Sequence, residues 1–265
     1  LDVDGNLIQN TKTNNGTIIN KPAPSTSFSS SSVTAIYGDS ITNTFTTDSN
    51  GAKTFSSSNT SSATINSGNG SVSIVAVGNA TMSVNLAETN EYTSANDNYT
   101  LTTNPKTLTA TASASNKVYD GTTTATTTLT FSGLIGSETL GQTVGSSFSD
   151  KNVGSGKTVT VNSITLANGT NGGLASNYTI SSGQTTNANI TAKALTVSGI
   201  TASDKTYDAT TAATLGTGAV VYGGLVSGDT LTGTYSGVFN NANVGTGKTI
   251  TITSSYGGAD VNNYT

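Results

Sequence analysis

Asp2-Val3-Asp4-Gly5-Asn6 sets oxygen ligands on alternate residues, the pattern with which a short loop can wrap a calcium ion. The bidentate Glu that such a loop needs six residues after its glycine is missing, and Lys12 is reached with no acid in between. Asp4-Gly5 equally suits a type I′ hairpin turn, which needs no metal. Asp2, Asp4 and Asn6 are therefore a weak metal candidate, and no cofactor is expected. Tyr119-Asp120 and Tyr207-Asp208 could be paired binding residues. The simpler reading packs each ring in a core or corner and lets each Asp accept backbone N–H groups of the following turn. Gly154-Ser155-Gly156-Lys157-Thr158 and Gly245-Thr246-Gly247-Lys248-Thr249 look superficially like phosphate loops. Their spacing is wrong and the residues that follow are strand-like, so no helix N-terminus is offered to a phosphate, and hairpin turns are expected instead. Lys117, Lys157, Lys205 and Lys248 lie near Asn and Asp residues. A Lys–Asn isopeptide bond would need all its partners buried together, and a surface lysine is the commoner state.

Much chemistry is excluded by what the chain lacks. It has no Cys, His or Trp, which removes disulfides, thiolate and imidazole metal sites, and the Ser-His-Asp and Cys-His nucleophiles; no enzyme activity is expected. The net charge is −4 with no basic patch, so nucleic acid is not an expected partner. No run of 18 apolar residues occurs, so no membrane insertion is expected. The chain starts at Leu1 with neither a start Met nor a leader, as a segment of something longer would.

Only 33% of the residues are hydrophobic and 9% charged, among 30 Gly and a large excess of Thr, Ser and Asn. Thr suits the half-exposed face of a strand, whereas Gly, Asn and Asp suit turns, so the chain should be all-β. A repeat sets its organisation. Lys117-Val118-Tyr119-Asp120-Gly121-Thr122-Thr123 returns 88 residues later as Lys205-Thr206-Tyr207-Asp208-Ala209-Thr210-Thr211. Asn152-Val153-Gly154 returns 91 residues later at Asn243, and Asn177-Tyr178-Thr179 returns 86 residues later at Asn263. Alternating stretches such as Leu108-Thr109-Ala110-Thr111-Ala112 and Val159-Thr160-Val161 are strands with Thr outward. Residues 24–104 keep this style in a different sequence, from Ile36-Tyr37-Gly38-Asp39 to Asn98-Tyr99-Thr100-Leu101. The expected architecture is a rod of tandem immunoglobulin-like β-sandwich modules at 24–104, 105–193 and 194–265, preceded by the closing strands 1–23 of another module.

The ends of the repeats differ. Residues 105–193 finish in Asn187-Ala188-Asn189-Ile190-Thr191-Ala192-Lys193, whereas 194–265 has no such strand. Asn15-Gly16-Thr17-Ile18-Ile19-Asn20-Lys21 has the same Asn-x-x-Ile-x-x-Lys form with no module before it. Residues 1–21 are therefore expected to complete a module of the 194–265 type, in a continuous polypeptide or in a neighbouring copy. Leu1, Val3, Leu7, Ile18, Ile19, Asn263, Tyr264 and Thr265 would make that contact. Such a contact is heterologous and does not close on itself, the geometry that makes fibres.

The Lys-x-Tyr-Asp-Gly-Thr-Thr start, the Asn-Val-Gly-x-Gly-Lys-Thr-Val middle and the Asn-Tyr-Thr end resemble the bacterial YDG-type repeat. With their Tyr-Gly-Asp start and Phe55-Ser56-Ser57-Ser58-Asn59 strand, residues 24–104 resemble the MBG and group-2 bacterial immunoglobulin-like repeats. The resemblance implies an extracellular stalk in a giant secreted adhesin or filamentous surface protein, and it carries no catalytic residues to transfer. Ala209 departs from the pattern where Gly is usual. The expected function is structural: a secreted or cell-surface module array whose partners are other copies of the unit, head to tail. The alternative is a module that binds glycan or ice through flat Thr faces, for which the 10 Tyr and 6 Phe leave few platforms.

Overall fold

The computed structural model describes residues 11–14 and 17–265. Leu1, Val3, Leu7 and the trio Asp2, Asp4 and Asn6 lie outside the described residues, as do the side chains of Ile18 and Ile19. The described chain is all-β, built from many small sheets with two single-turn 3-10 segments, Ala175–Asn177 and Val261–Asn263. None of its helices is long and apolar enough to cross a membrane. Thr11–Asn14 and Thr17–Asn20 form a two-stranded antiparallel ladder that pairs Ile19 with Lys12 and Ile18 with Thr13.

The chain divides into two compact units whose limits cut through the middle repeat. The first takes in the described part of 1–109 with 131–143 and 165–181; the second takes in 110–130, 144–164 and 182–265. In the first unit, Ala95–Asn104 is the centre of a four-stranded sheet, parallel to Ser32–Ile36 and antiparallel to Gly78–Leu86, which in turn pairs with Lys53–Ser57. Alternation does what the sequence pattern requires. Ala80, Met82, Val84 and Leu86 point inward from one strand and Tyr99 and Leu101 from its neighbour, all buried. The short pairs Thr26–Phe28 with Phe45–Thr47, and Ala63–Ile65 with Val72–Ile74, supply the remaining walls of this core. Phe28 sits edge-on to Tyr99, ring centroids 4.8 Å apart.

In the second unit, Thr185–Thr191 runs parallel to Lys117–Val118 and antiparallel to Gly154–Asn168. Ala188 and Ile190 of this strand are buried with Tyr119, Phe148 and Val159. The Gly154–Lys157 stretch differs from the expected hairpin turn. It belongs to the strand Gly154–Asn168 and carries a register shift between Gly154 and Lys157. Gly156 has φ +62, and its N–H bonds the Asn189 side-chain oxygen at 2.7 Å in place of a ladder partner, so the segment is a bulge.

Residues 194–265 form a three-stranded sheet of Ala212–Ala213, Thr232–Phe239 and Ile250–Gly257. Among the described residues no strand takes the place that Thr185–Thr191 fills in the middle repeat. The segments that would flank it, Lys205-Thr206 and Asn243 to Thr249, carry no strand pairing.

Candidate functional site

Each Lys-x-Tyr-Asp motif holds its own turn in the same way. Asp120 accepts the Thr122 N–H and hydroxyl at 2.9 Å, and Lys117 Nζ donates to Asp120 at 2.8 Å, Thr122 O at 2.7 Å and Thr124 O at 3.0 Å. Lys205, Asp208 and Thr210 repeat the arrangement, with Ala212 O in place of Thr124 O. Burial works against the Asp120 charge, yet the Lys117 and Thr122 hydrogen bonds hold its carboxyl below the usual range. The Lys205 and Thr210 bonds bring Asp208 down to about 2. The lysines are mostly covered, 16% and 22% exposed at the side chain, and not the free surface cations the sequence suggested. Asp120 and Asp208 thus act in turns. Lys157 and Lys248 likewise tie their loops, to Asp150 and to Asn241.

The tyrosines do something the sequence did not reveal. In the first unit Tyr37 donates its hydroxyl to Glu138 at 2.6 Å, and Tyr178 donates to the other oxygen of the same carboxylate at 2.5 Å. The Tyr178 hydroxyl accepts the Ile135 N–H at 3.0 Å. The rings stand edge to face, centroids 5.4 Å apart, and the Asn177 side-chain oxygen accepts the Val77 N–H at 2.9 Å. The second unit holds a copy of this clamp, built between the middle and last repeats. Tyr119 and Tyr264 both donate to Asp229, at 2.8 and 2.6 Å, and Tyr264 accepts the Val226 N–H. Their rings are 5.5 Å apart, and Asn263 accepts the Val153 N–H at 2.9 Å. Lys151 adds a cation beside Asp229.

Burial first, then the adjacent carboxylate, pushes Tyr37, Tyr178 and Tyr264 up to about 12 and raises Tyr119. Burial alone would raise Asp229 too, but hydrogen bonds from Tyr264, Tyr119 and Lys151 bring it below its ordinary value.

Each clamp joins an exit half, a Tyr at the motif start with a valine N–H (Tyr37 with Val77, Tyr119 with Val153), to an entry half, an acid with Asn-Tyr-Thr. The chain entering each repeat lies against that Tyr-Thr. Lys106-Thr107 pairs with Tyr178-Thr179, and Lys193 exchanges backbone hydrogen bonds with Asn263 and Thr265. Asn98-Tyr99-Thr100 does not belong to this set despite its sequence. Tyr99 is a mid-strand core residue. The segment against the entering chain of 24–104 is Glu91-Tyr92-Thr93, whose Thr93 N–H bonds Pro22 O at 3.0 Å.

The last repeat has an exit half with nothing on it among the described residues. Tyr207 is 62% exposed and Val244 86%, where Tyr119 is buried. Beside them runs a groove of about 740 Å3, lined by Lys205, Tyr207, Phe239, Asn243, Lys248 and Ile250 among others. Phe239 and Ile250 stand where Phe148 and Val159 are covered by Ala188 and Ile190 in the middle repeat. Ile252 is 43% exposed, whereas its counterpart Val161 is 1% exposed. The sequence-derived contact residues therefore part company. Asn263 and Tyr264 are occupied in the second clamp, and Thr265 in the backbone bonds that receive Lys193 and Leu195. The open surface is formed instead by Tyr207, Val244 and the groove.

The YDG domain family model matches residues 104–188 and 191–265. No curated protein sequence matches the chain. Among solved structures, surface layer protein SbsC, domains 4-9, aligns at 16% identity with a TM-score of 0.21, over 81% of this chain and 38% of that one. The chain thus spans under two fifths of that solved chain's length, and a likeness this weak carries no argument about fold or role.

Proposed function

Because the chain belongs to the YDG domain family, we propose that it is a structural module array of an extracellular bacterial fibre or giant adhesin stalk. Its immunoglobulin-like sandwich modules would continue head to tail, residues 1–21 of one copy closing the 194–265 module of another. The observation that carries this reading is the groove between Lys205-Thr206 and Asn243–Ile250, in which Tyr207 is 62% exposed where its counterpart Tyr119 is buried. The middle repeat supplies the pattern for filling it: a strand parallel to one wall and antiparallel to the other, with alternate apolar residues inward. Main-chain hydrogen bonds would give the affinity and the two inward residues the register. Thr17–Asn20 already has extended backbone, and Ile18 to Lys21 repeats the Ile-x-x-Lys spacing of Ile190 to Lys193. An unfilled groove of this kind is a bare sheet edge that invites pairing.

The test compares the full chain with a chain lacking residues 1–21, by light scattering after size exclusion and by electron microscopy. Concentration-dependent filaments from the full chain, and none from the truncated one, are expected. Denaturation should return the material to 26.4 kDa, the mass of one chain. A full chain that stays monomeric at all concentrations refutes the head-to-tail reading.

A further inference from the structure

The exit half on the last repeat specifies more than a strand. In both internal clamps the exit half takes two things from the entry half: a Tyr ring edge-on to its own Tyr, and a side-chain oxygen for its valine N–H. That oxygen comes each time from the residue immediately before the Tyr, Asn177 before Tyr178 and Asn263 before Tyr264. At the last repeat, Tyr207 and the Val244 N–H stand 88 and 91 residues after Tyr119 and Val153 and are exposed.

We infer that Tyr207 and Val244 form the docking half for the entry face of a second copy, where Tyr92 packs against Tyr207 and the Glu91 carboxylate accepts the Val244 N–H. The assignment follows from backbone placement. Glu91-Tyr92-Thr93 lies against the chain entering 24–104, as Asn177-Tyr178-Thr179 and Asn263-Tyr264-Thr265 lie against theirs, and Glu91 is exposed immediately before Tyr92. The other acids of this entry region are engaged within the repeat: Asp48 accepts the Ser25 N–H, and Glu88 pairs with Lys21. A carboxylate in place of the Asn amide keeps an acceptor for the valine N–H, and bonds to ionised acceptors are the stronger kind. Ala209 belongs to the same exit half. The glycines of the other two turns, Gly38 and Gly121, leave no room for a Cβ, which would stand only 2.4 and 2.7 Å from the Ile135 and Val226 side chains of the facing entry loop. A Cβ is present at Ala209, so the loop facing it has to be less bulky at this contact.

The proposal rests on the head-to-tail reading, and cysteine trapping separates the two. The chain has no cysteine, so introduced thiols are read without background. An Asn oxygen 2.9 Å from a valine N–H brings the two backbones to about the span of a disulfide. Full-length Val244→Cys is mixed with full-length Glu91→Cys under mild oxidation, and Val153→Cys/Asn263→Cys in one chain is the positive control. The expected result is a reducible heterodimer at least about tenfold more abundant than from Val244→Cys mixed with Thr64→Cys, because docking raises the effective thiol concentration from micromolar toward millimolar. Equal yields from the two mixtures overturn the docking assignment. If chains with equal yields still assemble in a manner that requires residues 1–21, the head-to-tail reading stands without it; if they remain monomeric, both fail.

Discussion

Replacing Glu138 with Ala removes the acceptor shared by two buried phenols. Tyr37 and Tyr178 are 7% and 4% exposed and donate to it at 2.6 and 2.5 Å. A buried hydroxyl left without an acceptor costs about 1–3 kcal/mol, so the pair should cost about 2–6 kcal/mol. Tyr37→Phe removes one charge-assisted bond and leaves Glu138 the other, for about 1.5–3 kcal/mol. In a Tyr37→Phe/Tyr178→Phe background, Glu138→Ala should then cost little, because no hydroxyl remains to be orphaned. A global unfolding free energy is ill-defined for several linked modules, so local amide hydrogen exchange is the suitable assay. The Val77 N–H reports on it in every background, since it bonds the Asn177 side chain of the clamp; the Ile135 N–H, bonded to the Tyr178 hydroxyl, reports only where Tyr178 is kept. At about 1.4 kcal/mol per decade, a loss of 2 kcal/mol speeds their exchange roughly 30-fold. Exchange that changes less than about twofold in Glu138→Ala, or that speeds equally in the double-Phe background, would refute the claim that the carboxylate holds the clamp.

Three further outcomes are expected. Tyr37, Tyr178 and Tyr264 are pushed up to about 12 from an ordinary 10.0, so their contribution is fully present below pH 10 and is lost as pH rises toward 12. The unfolded chain releases these protons first, so stability falls as the pH passes 10; ultraviolet phenolate titration alongside circular dichroism should show late-titrating tyrosines whose ionisation coincides with loss of structure. Ala209→Gly should stabilise the last repeat by about 1 kcal/mol, since Ala209 sits at φ +61 where glycine carries no steric penalty, whereas Gly121→Ala, at φ +77 and 2.7 Å from Val226, should destabilise by more than that; thermal melts of both variants check the opposite signs. Lys117→Met should cost about 0.5–1.5 kcal/mol by removing the Lys117 bonds to the Thr122 and Thr124 carbonyls and to Asp120, which keeps its Thr122 bonds, read as faster exchange across 119–125.

Period-two alternation and Thr content pointed to an all-β chain, and the strands Gly78–Leu86 and Ala95–Asn104 show why, with one face apolar and the other polar. The Tyr-Asp turns were legible because the Asp-x-Thr spacing dictates a local hydrogen bond, and the structure places Asp120 and Asp208 in it. The tyrosine clamps were not legible. Their carboxylates, Glu138 and Asp229, lie about 40 and 35 residues from their Asn-Tyr-Thr partners and 101 and 110 from their motif tyrosines, and no local pattern encodes a contact at that separation. A signal did exist in retrospect. Ile135-x-x-Glu138 recurs as Val226-x-x-Asp229 91 residues on, the same offset as the Asn-Val-Gly anchor. Asn98-Tyr99-Thr100 misleads for the converse reason: three matching residues sit in a continuous strand, where Tyr99 must face the core, and the working counterpart, Glu91-Tyr92-Thr93, has a different first residue. The bulge at Gly154–Lys157 escaped because a Gly-x-Gly reads as a turn unless the Asn189 side chain that replaces the ladder bond is known.

The central claim is that a strand from residues 1–21 closes the groove of the 194–265 module. It is tested most directly by adding a synthetic peptide of residues 1–21 to a chain lacking them and following hydrogen exchange at Lys205-Thr206 and Asn243–Ile252. Saturable protection confined to those two segments is predicted, because the walls of the groove would gain the ladder bonds that Lys117–Val118 and Gly154–Asn168 make with Thr185–Thr191. Unchanged exchange at saturating peptide would contradict it.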